Sequence, residues 1–143
     1  MQAALEEAKQ AALEGEVPVG AALVWEDRLI ATARNRRETD KNALSHAELL
    51  VIHKACDTLG GWRLHKATLY VTLEPCPMCA GAIINARIAR VVFGAADPKA
   101  GCLGSVADFC ALPFNHAPQV TDGVLEEECA ALLRDFFRRL RKS

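Results

Sequence analysis

The chain has 143 residues, 51% of them apolar, and a formal net charge of −1. A chain of this length buries roughly two thirds of its unfolded surface, enough for one core of ordinary size. The near-neutral balance excludes bulk charge as a basis for binding a membrane or nucleic acid, and no run approaches the ~18 apolar residues of a membrane span. The charge is unevenly placed, however. Arg134, Arg138, Arg139, Arg141 and Lys142 against the single acid Asp135 give residues 134–142 a local charge of +4, which leaves −5 for the remainder.

Residues 1–14 are charged and alanine-rich and lack the apolar segment of a signal peptide, so a cytoplasmic location is expected. In that setting Cys56, Cys76, Cys79, Cys102, Cys110 and Cys129 are expected as thiols. No repeat, low-complexity tract or linker divides the chain, and residues 1–143 read as a single domain.

In chain order, residues 2–14 predict an alanine-rich helix ending at Gly15. Residues 19–25 and 29–33 predict two strands joined by a tight turn at Glu26-Asp27-Arg28, which lacks the usual glycine. Residues 35–44 are polar and read as a loop. Ser45 opens a helix to about Leu59, stopped by Gly60-Gly61. Its Leu49-Leu50-Val51-Ile52 run is apolar all round and predicts deep burial. Residues 68–73 are β-branched and aromatic and predict a strand, ended by Glu74 and Pro75. Pro77 suits the first position of the next helix, where its missing N–H costs nothing. That helix runs to about Ala86. Residues 90–95 predict a strand buried on both faces.

Strand, helix, strand at this spacing is a βαβ unit with parallel strands and a right-handed crossover. Residues 97–118 read mostly as loop, with a short helix near 105–109. Residues 119–121 read as a short strand, and 124–141 as a final helix. That helix carries the apolar stripe Leu125, Cys129, Leu132, Leu133, Phe136 and Leu140. The sum is an α/β fold: a three-layer α/β/α sandwich on a mixed five-stranded sheet.

Two stretches carry the chemistry. His46-Ala47-Glu48 and Pro75-Cys76-Pro77-Met78-Cys79 supply one imidazole, two thiols and a carboxylate, and neutral imidazole and thiolate are preferred zinc donors. Three protein ligands leave a position for water, the arrangement of a catalytic zinc. Cys76 and Cys79 share one side of a helix's first turn, where the helix dipole favours both as thiolates. His46 and Glu48 are two apart, so one site can use both only if their helix points at it end-on. Other readings stand beside this one. Cys-x-x-Cys also suits a redox pair. Ser45-x-x-Glu48 is also a capping box. A structural zinc could recruit Cys102, Cys110, His65 or His116 as a fourth ligand. The combination of His-x-Glu followed by Pro-Cys-x-x-Cys favours the catalytic site, since that order is the signature of zinc deaminases.

Over nearly its whole length the chain resembles the bacterial tRNA-specific adenosine deaminases of the cytidine deaminase superfamily. The resemblance is carried by Glu16-Val17-Pro18-Val19-Gly20, Asn35, His46-Ala47-Glu48 and the run from Leu69 to Cys79. It continues through Arg90-Val91-Val92-Phe93-Gly94, Asp97, Asn115-His116 and Asp135-Phe136-Phe137-Arg138. It implies a cytidine deaminase-like fold, with zinc on His46, Cys76 and Cys79, one ion per subunit, and Glu48 as proton shuttle. It further implies that Asn35 hydrogen-bonds a flipped-out base, that Glu16 and Val17 shape its pocket, and that Ala47 belongs to the substrate-binding set. Asp97 approaches the ribose, and Asn115, Phe137 and Arg138 lie along the anticodon loop. The implied partner is the tRNA anticodon stem-loop, bound by a homodimer with no membrane and no organic cofactor. The implied product is inosine at the wobble position of an arginine tRNA. Where the family commonly has Asp-Pro-Thr-Ala before its histidine, this chain has Asn42-Ala43-Leu44-Ser45, so a differently shaped adjoining loop is expected.

Hydrolytic deamination fits these residues. In the C-terminal helix, Phe137 lies off the apolar stripe among arginines, where an aromatic can stack on a splayed base. A solvated basic end that complements the helix dipole is the plainer reading of the same residues. The competing functions are deamination of a free nucleobase or nucleoside (guanine, cytidine), a non-catalytic zinc-stabilised RNA-binding module, and a redox protein using Cys76 and Cys79.

Overall fold

A computed structural model describes residues 1–142. Its centre is the βαβ unit. Strand β3 (Ala67–Leu73) and strand β4 (Arg90–Ala95) lie parallel, linked by helix α4 (Pro77–Asn85). Helix α1 (Gln2–Leu13) precedes a hairpin of β1 (Gly20–Trp25) and β2 (Arg28–Arg34). Strand β1 pairs antiparallel with both β2 and β3, and β5 (Gln119–Thr121) adds parallel to β4. The sheet is therefore mixed and five-stranded, in the order β2-β1-β3-β4-β5. Short helix α2 (Arg37–Asp40) and helix α3 (Ala47–Leu59) follow the hairpin, and helix α5 (Glu126–Lys142) closes the described chain.

The two sheet faces follow from strand alternation. Ala21 and Leu23 of β1, Leu69 and Val71 of β3, and Val91 and Phe93 of β4 point one way. They form the main core with Val51 and Ala55 of α3 and Ala80 and Ile83 of α4. The opposite face carries α1 and α5, which touch each other and the sheet. A smaller apolar cluster of Leu5, Ala95 and Cys129 lies on this side. Helix α1 comes so close to β1 that a Cβ at Gly20 would overlap the backbone of Ala4 and Ala8. The layers are thus α/β/α, and no described helix is long and apolar enough to cross a membrane.

Four local expectations need correction. The turn is two residues, since Arg28 already pairs with Trp25. Glu26 and Asp27 both take positive φ, 48° and 68°, so the hairpin reaches the primed-turn geometry without glycine. The 35–44 stretch is not all loop: α2 forms inside it, its first turn held from outside by Asn35 and Glu16. Helix α3 is amphipathic and half-exposed. Only Ala47, Glu48, Val51 and Ala55 are buried, because the helix lies on the sheet surface. The short helix expected near 105–109 is a single 3-10 turn at Phe109–Ala111, where the Asp108 carboxylate accepts from the Cys110 N–H.

Candidate active site

Antiparallel pairing brings the start of β1 and the end of β2 to the same edge as the end of β3 (Gly20↔Arg34, Ala21↔Val71). Parallel pairing brings the end of β4 there as well (Leu73↔Ala95). Crevices outside the carboxyl ends of parallel strands are where open α/β sheets bind ligands. Helices α3 and α4 both begin at this edge. His46 is the N-cap residue of α3 and Cys76 that of α4, each with extended backbone (ψ 149° and 176°) and neither forming a side-chain cap. The end-on geometry required by His46 and Glu48 is therefore present. The capping box is not: the Ser45 hydroxyl donates to Asp40 at 2.9 Å, and Glu48 turns to the site.

The His46 Nδ1 atom lies 3.7 Å from Cys76 Sγ and 3.5 Å from Cys79 Sγ. A tetrahedral zinc with ordinary Zn–N and Zn–S bond lengths separates such ligand atoms by ~3.6 Å. The donor set and its spacing thus fit one zinc ion. Among the described residues no fourth protein ligand joins them. His65 packs edge-on against Trp25, His116 Nε2 bonds the Ile88 carbonyl at 2.8 Å, and the thiols of Cys102 and Cys110 donate to the carbonyls of Ala100 and Pro118. All six cysteines are unbridged.

Electrostatics acts in opposite directions on the two thiols. A hydrogen bond from Cys79 holds Cys76 down to about 4, with His46 adding to the shift against the effect of burial. Cys79 is driven up by that same bond and by its own burial, and a metal ion held by both thiols would favour the thiolate form of each. Burial pushes the Glu48 carboxyl up to about 7. A general acid–base works best with a pKa near the operating pH.

His46, Glu48 and Cys76 line a cavity of about 470 Å³. Val17, Asn35, Ala47, Asp97 and Phe137 line it beside them. The Asn35 side chain is braced twice: Nδ2 donates to the Val17 carbonyl at 3.2 Å, and Oδ1 accepts from the Arg37 N–H at 3.1 Å. Four expected site residues lie outside the lining, among them Cys79, which is fully buried. Glu16 is buried behind the wall, accepting from the N–H groups of Glu38 and Thr39 and from the Thr39 hydroxyl. Asn115 is exposed, and Arg138 pairs with Asp135 on the surface of α5. Sequence reading missed Arg37, Lys99, Leu133 and Glu74, all of which line the cavity. Leu133 lies one turn before Phe137, a spacing that could have revealed it. The other three carry no local signal.

The substituted stretch before His46 forms a tight turn. Asn42 accepts from the Leu44 N–H through its side chain and from the Ser45 N–H through its carbonyl, and Leu44 is exposed.

The family model for MafB19-like deaminases matches residues 1–141. The chain is 56% identical over 143 residues to the tRNA-specific adenosine deaminase of Bacillus subtilis (strain 168), spanning 99% of this chain and 89% of that protein. A solved structure from work on A-to-I editing by tRNA:A34 deaminases superposes with a TM-score of 0.91 at 48% identity, covering 93% of this chain and 97% of the other. Guanine deaminase from Nitrosomonas europaea superposes at 0.77 with 26% identity, covering 93% and 80%. With a cytidine deaminase-like sheet, a deaminase donor set and this identity along its whole length, the chain belongs to the tRNA-specific adenosine deaminases.

Proposed function

We propose that the protein hydrolyses adenosine to inosine at the wobble position of a tRNA anticodon, arginine tRNA being the substrate that family resemblance implies, with residues 1–143 acting as one deaminase domain. The carrying observation is the buried Glu48 carboxyl lining an open cavity beside the convergent His46, Cys76 and Cys79. A structural metal site has no use for such a carboxyl. A redox pair has no use for His46.

His46, Cys76 and Cys79 would hold zinc, which when bound acidifies a water to near neutrality. Glu48 takes a proton from the attacking water and delivers it to N1 of adenine as the oxygen adds to C6. It then takes the remaining proton from the new C6 hydroxyl and passes it to the departing amine. Water is consumed, ammonia leaves and inosine remains. Asn35 and Val17 hold the flipped-out base against Ala47, and Asp97 meets the ribose. Phe137 stacks at the cavity mouth. Asn115 and Arg138, outside the lining, reach the anticodon loop beyond the target base. The active form is a cytoplasmic homodimer whose RNA groove draws on both subunits.

The test is to incubate tRNA with purified protein and sequence it. Adenosine read as guanosine at the wobble base is expected. Free guanine, cytidine and adenosine run in parallel, and release of ammonia from these but not from an anticodon stem-loop would reassign the substrate. Absence of ammonia from every substrate would leave the non-catalytic reading.

A further inference from the structure

Two buried carboxylates remain outside the proton chemistry, Glu16 and Glu74, only 1% and 2% exposed. Each must recover in hydrogen bonds what it loses in hydration. Glu74 joins β3 to the Cys76 turn, and its own N–H is fixed to the Ala95 carbonyl at 2.9 Å. Its side chain is spent entirely on one loop. Oε1 accepts from the Asp97 N–H at 3.0 Å and from the Ser105 hydroxyl, and Oε2 accepts from the N–H groups of Leu103 (3.0 Å) and Ser105 (3.1 Å).

The loop closes around this anion with little room. A Cβ at Gly101 would overlap the Glu74 carboxyl carbon and both its oxygens. The same loop presents Asp97, Pro98, Lys99 and Ala100 to the cavity. Asp97 is further shaped locally, its Oδ1 accepting from the N–H groups of Lys99 and Ala100. Another part of the lining is built on the same plan, with Glu16 holding the first turn of α2 next to Arg37.

We propose that Glu74 is a positioning residue for substrate: its buried carboxylate anchors the 97–105 loop and so sets the 97–100 wall against the target ribonucleotide. This rests on the deaminase function proposed above. The anchor acts on the wall, so its loss is read in substrate binding before it is read in chemistry.

Glu74→Gln tests it. The less costly amide orientation puts NH2 at the Oε1 position, where the Ser105 hydroxyl can turn to accept, and the Asp97 N–H loses its acceptor. Amide exchange at Asp97, Leu103 and Ser105 should accelerate, while exchange at Glu38 and Thr39 stays at the wild-type rate. KM for an anticodon stem-loop should rise about tenfold or more, with kcat within about threefold, since small misplacements of positioning groups cost on this scale. Gly101→Ala, which crowds the loop off an intact carboxylate, should give the same KM shift and decides the matter if the first variant fails to fold. Glu74→Asp, which restores two acceptor oxygens on a shorter arm, should recover part of the loss.

Wild-type KM with unchanged exchange in both Glu74→Gln and Gly101→Ala overturns the proposal. So does a fall in kcat and zinc content at unchanged KM, which would place Glu74's role at the ligand turn. Failure of the wild-type protein to deaminate the stem-loop overturns the function instead, and the exchange readout, needing no substrate, still decides the anchor.

Discussion

At Glu48 burial moves an ordinary carboxyl up to about 7, so that it can both accept and release a proton near neutral pH. Glu48→Ala should retain zinc and lower kcat by ~10²–10⁴-fold. Metal analysis alongside ammonia release checks this, and wild-type turnover would remove Glu48 from the mechanism. Glu16 works in the opposite sense. Burial raises its pKa, but the Thr39 hydroxyl and the N–H groups of Thr39 and Glu38 outweigh this, and the carboxyl sits below its ordinary value. A depressed carboxyl contributes stability above its unfolded pKa, and that contribution is lost as pH falls through the folded value. Glu16→Gln should therefore cost about 1–3 kcal/mol at pH 7 and flatten the acid limb of the stability profile, as denaturant titrations from pH 7 down to 3 would reveal. His46, Cys76 and Cys79 are legible in sequence because donor type and short spacing suffice to mark them. Glu16 is legible only through family resemblance, and its work as an anchor, like that of Glu74, is invisible there. Their partners lie 22 to 31 residues away, and most are backbone N–H groups that carry no sequence identity.

Local pattern predicted helices and strands well wherever the period was long, and less well where tertiary contacts supply the capping. Helix α2 exists because Asn35 and Glu16 receive its first N–H groups, which no propensity in Arg37–Asp40 announces. The run at Leu49-Leu50-Val51-Ile52 was misleading because apolar side chains remain partly exposed where a helix meets a sheet on one side only. Helix α5 combines both roles. Cys129 and Leu132 pack on the sheet, Leu133 and Phe137 turn to the cavity, and its basic last turn lies beyond. Deleting residues 134–143 should weaken anticodon stem-loop binding by roughly 1–3 kcal/mol, the scale of one lost base–aromatic stack, while zinc content is kept. Fluorescence anisotropy of a labelled stem-loop measures the change. Unchanged affinity in a folded truncation would leave the basic end as a dipole complement only.

Across the whole molecule, the two ligand-bearing helix starts are 30 residues apart in sequence and are held together by packing on one sheet. A zinc ion binding the folded state alone adds to stability by mass action. Removal with a chelator should lower Tm by ~5 °C or more and abolish deamination, and added zinc should restore both. Differential scanning calorimetry with and without metal tests this, and an unchanged Tm would mean that packing alone maintains the site. By itself the sequence marked the His46, Cys76 and Cys79 cluster, the Glu48 carboxyl, the βαβ unit and the five-strand mixed sheet, because spacing and residue chemistry act over short range. Only the tertiary structure decided that Cys79 is fully buried while Cys76 borders the cavity, and that Arg37, Glu74 and Lys99 border it too. It also placed Asn115 and Arg138 outside that cavity. Those outcomes depend on burial and on which strand ends share an edge, and both are set by register between segments far apart in the chain.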